Sequence, residues 1–208
     1  MLDQIIPAVT FLGLSFGQLT PITLAQKQFS LSNRQSSPYV NEIFKKNILL
    51  NLNYMGNKVK PGDKFDWSEI DKPFETSFIL GPNQTFAFHD DVLPQYHGKV
   101  SKTTNAHFNA QEGFLTDGYL YGDGVCHLAS FINLAARDAN LDVKAPTRHD
   151  FAVIPDVSRE YGVSIYNNPY AKGSNARQNL YITNNYPKPV EFRFEYKNDT
   201  LNVKVINW

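Results

Sequence analysis

Two hydrophobic periods divide the chain. In "YVNEIFKKNILLNL", from Tyr39 to about Leu52, Val40, Ile43, Phe44 and Asn47 share one helical face, and Ile48 and Leu50 to Leu52 extend it, so a helix is expected. A second helix is expected from about Val125 to Asn140, where Leu128, Phe131, Ile132, Ala135 and Ala139 form an i, i+3, i+4, i+7, i+11 stripe. Elsewhere the period is two. "VEFRFEY" places Val190, Phe192, Phe194 and Tyr196 on one side of a half-buried strand, with a hairpin expected at Lys197-Asn198-Asp199. "LDVKAP", "HDFAVIPDV", "YGVSIYNN" and "NLYITNNY" read as further short strands, the second ended by Pro155-Asp156. "NYMGNKVKPGDKFDW" reads as two turns around a short strand. Residues 69–116 carry short aromatic runs such as "TSFIL" and "TFAFH", expected to be strands joined by long surface loops. The sum is an α+β fold: a largely antiparallel sheet with about two main helices.

The N-terminal part follows a different pattern. Residues 5–25 are uncharged and mostly apolar, interrupted by Pro7, Gly13, Gly17 and Pro21. Ala8 to Leu19 has the length of a signal-peptide apolar region, and Thr23-Leu24-Ala25 could serve as a cleavage site. Residues 1–25 therefore read as a signal peptide or membrane anchor, although Asp3 stands where Lys or Arg is usual. A buried first strand pair or a truncated leader is the other reading. Residues 26–38, "QKQFSLSNRQSSP", read as a polar linker, and residues 39–208 as the folded domain.

Composition narrows the function classes. Of 208 residues, 42% are hydrophobic, enough for a core. Twenty basic and 20 acidic residues cancel, so no electrostatic pull on nucleic acid is expected. One cysteine rules out an internal disulfide framework and any multi-cysteine zinc site. His89-Asp90-Asp91 fits no metal-site signature, and no cofactor is implied.

That single cysteine, Cys126, carries the candidate chemistry. It falls opposite the apolar stripe of the second helix, on a side shared with Ser130, Asn133 and Arg137. It also lies in the expected first turn, where free N–H groups and the helix dipole favour a thiolate. Asp123 is a plausible N-cap, and Gly122 and Gly124 allow a sharp turn and close backbone approach. A nucleophilic cysteine needs a base. His149, at the start of an expected strand, is the main candidate. His127 points about 100° away on the same helix and could serve only if the turn is irregular.

These segments resemble the VanW-domain family. The resemblance rests on "GDGVCHLAS", on the Arg-His pair opening "RHDFAVIPDVSR", on "NILLNLNYMGNKVKPGDKF" upstream and on "NLYITNNYPKPVEFRF" downstream, in that order over roughly residues 40–206. This chain has Asp123 for the family's middle glycine, His127 for the usual Gln and Ala129 for a small hydroxyl residue, with Ser130 next to it. Some members are cysteine L,D-transpeptidases, so the resemblance implies an extracytoplasmic enzyme acting on peptidoglycan stem peptides. Cys126 would form a thioester and a neighbouring stem amine would resolve it, making a 3→3 cross-link. His149 would be the base, oriented by Asp150 or Asp156. N–H groups of Gly124 to His127 would hold the oxyanion, and Arg148 or Arg159 would bind a stem carboxylate. A cysteine peptidase or amidase on the same peptides, and a non-catalytic envelope-binding module, are the competing expectations.

Overall fold

The computed structural model describes residues 20–119 and 121–208. In chain order the elements are β1 (Ile22–Ser30), α1 (Pro38–Met55), α2 (Trp67–Ile70), β2 (Phe74–Leu80), β3 (Thr85–Ala87), β4 (Val100–Lys102), α3 (Val125–Asp138), β5 (Asp142–Lys144), α4 (Lys172–Asn175), β6 (Tyr181–Thr183), β7 (Val190–Lys197) and β8 (Thr200–Asn207). The fold is α+β, with two long helices and two mostly antiparallel sheets. One sheet has the order β1-β8-β7-β2 and the other β4-β3-β6-β5, in which only β3 and β4 run parallel.

The strongest period-two segment forms the centre of the larger sheet. Val190, Phe192, Phe194 and Tyr196 of β7 are all buried. The hairpin to β8 turns at Asn198 and Asp199, whose φ values of 51° and 53° suit a type I′ turn and residues that tolerate the left-handed region. Phe78 of β2 stacks on Phe192 at 5.0 Å and on Phe86 of β3 at 4.8 Å, joining the two sheets through one aromatic column. The stripe predicted on α3 is buried throughout, and Phe131 stacks on Phe29 of β1 at 3.9 Å.

Three expectations are corrected. Residues 26–38 are not a linker: β1 pairs with β8 from Ile22 to Ser30, and Leu31 N–H continues the pairing to Asp199 O. Only Ala25 and Phe29 of this edge strand are buried, so its composition mimics a linker while its backbone is held by β8. The same strand claims residues 22–25 of the segment set aside as leader or anchor; residues 1–19 of that segment lie outside the described residues. "HDFAVIPDV" and "YGVSIYNN" are not strands. They are irregular or extended chain joined by a single bridge between Arg148 and Val163; His149 N–H donates to Gly162 O, and the second segment is bonded from Tyr161 and Val163 to side chains of α3. Helix α1 is not one-faced either, since Ile48, Leu49, Leu50 and Leu52 are all fully buried beside Asn47 and Asn51. From Asn47 to Met55 it runs through the interior, while its first turns, with Tyr39 exposed, lie at the surface.

Candidate functional site: the cleft at the start of helix α3

The turn before α3 is built by α1. The Asn47 side chain donates to Leu115 O and Asp123 O at 3.0 and 2.9 Å and accepts from Leu115 N at 2.8 Å. Gly124 is the N-cap residue, at φ 97°. A Cβ there would lie 2.7 Å from Phe44 O, so glycine lets the start of α3 sit directly on the α1 backbone. Gly124 thus has a packing role. Asp123 is not the cap: its carboxylate accepts from Asp117 N–H, and α3 begins without a side-chain cap. Val125 N–H is taken by Gly122 O, whereas the N–H group of Cys126, which faces its own sulfur, and that of His127 meet no backbone acceptor among the described residues. These two are the orphan donors of the first turn.

From Ser130 to Asn133 the polar side of α3 is turned away from solvent, and only Arg137, a turn further on, is exposed. Residues of this side bind the extended segment 161–165: Asn133 Nδ2 donates to Tyr161 O at 2.7 Å, Val163 N donates to Ser130 Oγ at 2.9 Å, and Ile165 N donates to Cys126 Sγ at 3.4 Å. The match is geometric. Helix residues spaced 3 and 4 apart advance about 4.5–6 Å, close to the two-residue step of roughly 6.6 Å in an extended chain. Ser130 Oγ also donates to Cys126 O, so Ser130 secures the helix and the segment together.

Cys126 is half-buried, and its Sγ also donates to Ile165 O at 3.6 Å. Burial pushes the thiol up to about 11. The Ile165 N–H works against that rise, and the Asp123 charge adds to it. The group is therefore a neutral thiol near pH 7.

His149 lines the same cleft, of about 440 Å³, as Cys126 and His127. No hydrogen bond joins Cys126 to His149 among the described residues; the thiol's partners are both on Ile165. His149 Nδ1 faces Ala152 O at 3.2 Å, which places the proton on Nδ1 and leaves a lone pair on Nε2. Burial holds its pKa below the usual histidine value, so the ring is neutral and able to accept a proton. His127, 2% exposed, lies 6.4 Å from His149 between ring centroids and packs edge-on to Phe44. Its Nδ1 has no hydrogen-bond partner among the described residues, and burial, with Arg34 and His149 nearby, pushes its pKa down to about 3.

The remaining expected residues stand elsewhere. Asp150 faces Arg148 at 3.6 Å, and Asp156 pairs with the buried Arg34 guanidinium at 2.5 Å. Neither carboxylate orients His149; a backbone carbonyl does. Arg159 donates to Asp150 O and borders a separate cavity of about 150 Å³ behind His149. Neither Arg148 nor Arg159 lines the main cleft. Sequence reasoning missed Arg34, hidden in the supposed linker, and Asn47, whose place in an apolar-rich helix was a usable sign of a buried polar role. It also missed the amide wall of Asn109, Asn167, Asn168 and Gln178. Among the described residues no three His, Cys, Asp or Glu side chains converge as metal ligands would. Compared with known proteins, the chain matches no family model, no curated protein and no solved structure.

Proposed function

We propose that the protein is a cysteine acyltransferase of the cell envelope, resembling the VanW-type L,D-transpeptidases and acting on peptidoglycan stem peptides. The observation that carries this reading is the shared cleft: Cys126 in the first turn of α3, with two free N–H groups beside it and a neutral His149 on the wall. In the first half-reaction the thiol turns away from Ile165 and its proton passes to His149 Nε2. Sulfur bonds to the carbonyl carbon, and the oxyanion is held by the N–H groups of Cys126 and His127. Collapse breaks the C–N bond, and the departing amine takes the proton from His149. In the second, an amine of a neighbouring stem attacks the thioester and loses a proton through His149, and the sulfur leaves and is reprotonated. A raised thiol pKa makes this a general-base mechanism rather than one starting from a thiolate–imidazolium pair.

Incubation with saturating disaccharide-tetrapeptide, followed by mass spectrometry, tests the proposal. A cross-linked dimer lacking one D-Ala is expected, and it should disappear in Cys126→Ala. A tripeptide alone would replace transfer by hydrolysis. Product formation that survives Cys126→Ala would remove this cysteine from the chemistry.

One observation favours a second reading, a non-catalytic binding module of the envelope. The thiol bonds both the N–H and the C=O of Ile165, as a structural side chain would. In that case Cys126→Ser, which keeps both bonds, leaves ligand binding intact, and no tetrapeptide is consumed by either protein.

A further inference from the structure

The ladder between α3 and its extended partner ends at Cys126, and the backbone beyond it meets the cleft with free groups. Along residues 161–166 the two edges alternate, as in any extended chain. Odd residues face α3: Tyr161, Val163 and Ile165 bond Asn133, Ser130 and Cys126. Even residues face the other way: Gly162 O accepts from His149 N–H, Ser164 N–H donates to Thr147 O, and Tyr166 N–H donates to Gln178 O. The next groups on the α3 edge are those of Asn167. Three to four residues before Cys126, however, the chain is the turn Gly122-Asp123 rather than helix. Gly122 has no side chain to offer, and the Asp123 carboxylate is taken by Asp117 N–H. The N–H and C=O of Asn167 accordingly find no partner among the described residues, and its side-chain Nδ2 is buried without one. Gly122, Asp123 and Asn167 all line the cleft that holds Cys126. Neighbours on both sides fix Asn167 in place, Tyr166 through Gln178 and Asn168 N–H through Asn175 Oδ1 at 3.0 Å.

Free N–H and C=O groups on an extended edge are a template for another extended chain. We propose that Asn167 is the docking residue for the main chain of the acyl donor, which lies extended along this edge and continues the ladder where α3 stops. One donor residue accepts from Asn167 N–H and gives its own N–H to Asn167 O, and Asn167 Nδ2 donates to a second donor carbonyl. Asn167 stands one two-residue step beyond Ile165, roughly 6.6 Å along an extended chain, and Ile165 holds the thiol. A chain docked there brings its neighbouring carbonyls to Cys126. Docking of this kind deepens the acyl-transfer reading and rests on it for the identity of the peptide.

The probe is the disaccharide-tetrapeptide. Its affinity for Cys126→Ser, which keeps the bonds to Ile165, is measured by calorimetry with and without Asn167→Ala. Exchange of the Asn167 amide hydrogen in Cys126→Ser is followed by NMR. Asn167→Ala is expected to weaken binding about tenfold, the scale of one net hydrogen bond. The denaturant midpoint of the free protein should hold or rise, because the orphan amide satisfies nothing in the fold. The Asn167 amide is expected to exchange fast in the free protein and about tenfold or more slowly with peptide bound. A midpoint that falls with Asn167→Ala assigns the side chain to the fold and overturns the inference. So does undiminished affinity, an amide whose exchange the peptide leaves unchanged, or no binding at all. Turnover by the unaltered protein, read by mass spectrometry, separates the two proposals. Docking at Asn167 without turnover sinks acyl transfer alone, and turnover without docking there sinks the docking alone.

Discussion

At the scale of the residue, the chemistry turns on how Cys126 becomes nucleophilic. With its thiol pushed up to about 11, only about a thousandth is thiolate at pH 8. Alkylation by iodoacetamide is therefore expected to be slow near neutral pH and to climb steadily through pH 9–10, without the neutral plateau of a thiolate–imidazolium pair. A plateau below pH 7 would contradict the general-base mechanism. Asp123 is the residue that tunes this behaviour. Burial raises its own pKa to about 6, so at pH 7 the fold bears the cost of keeping it ionised. Asp123→Asn keeps an acceptor for Asp117 N–H and removes the charge. It should stabilise the protein at pH 7 by roughly 1 kcal/mol, discounted for partial exposure, and move the alkylation profile to lower pH. The stabilisation should vanish below pH 4, where Asp123 is protonated in both folded and unfolded states. A midpoint of thermal unfolding that falls at pH 7 would refute the assignment.

At the scale of the element, α3 is the organiser, and it was only half legible. Its apolar stripe could be read because Leu128, Phe131, Ile132 and Ala135 face other apolar groups, and hydrophobic periodicity reports contacts of that kind. Its polar side could not. Ser130 and Asn133 are buried against backbone of segment 161–165, and hydrogen-bonded burial looks the same in sequence as exposure to water. That is why Cys126 was expected at an open face and is found bonded to Ile165. β1 was lost for a related reason: an edge strand draws its pairing from backbone groups and shows few apolar side chains. The β7–β8 hairpin was legible because alternation and turn chemistry agree there. The glycines before α3 were read as freedom to turn and room for another backbone to approach, and at Gly124 the backbone that approaches is that of α1. Gly124→Ala would place its Cβ 2.7 Å from Phe44 O at φ 97°. It should cost about 2–3 kcal/mol in chemical denaturation and loosen the start of α3, raising the alkylation rate of Cys126 at fixed pH. Unchanged stability would mean that α1 does not set the position of this helix.

At the scale of the whole molecule, buried histidines link the fold to pH. His127, in the interior next to Arg34, has a folded pKa of about 3, well below its ordinary value of 6.5. Between those limits the unfolded chain binds a proton that the folded chain does not. Stability is therefore intact above pH 6.5 and falls as pH drops, by up to about 1.4 kcal/mol per unit, levelling off near pH 3. His149 acts in the same direction, and Asp123, with its raised pKa, offsets part of the loss. His107 has the opposite sign. Glu112 and Asp90 raise it to about 9, so its contribution is full below pH 6.5 and is lost as pH rises toward 9. Together the two histidines place the maximum of stability near pH 6.5. Replacing each in turn separates them: His127→Gln should flatten the acid limb and leave the alkaline limb unchanged, and His107→Gln should do the reverse. Denaturant midpoints across pH 4–9 measure both limbs, and parallel curves for His127→Gln and the parent protein would show that His127 is protonated in the folded state after all. The acid limb reports folding alone. His127 carries one of the N–H groups beside Cys126, but its ring stays neutral in the folded protein throughout that range, so no charge reaches the oxyanion site. A loss of turnover steeper than the loss of folded protein between pH 6.5 and 4 would point to His149 instead.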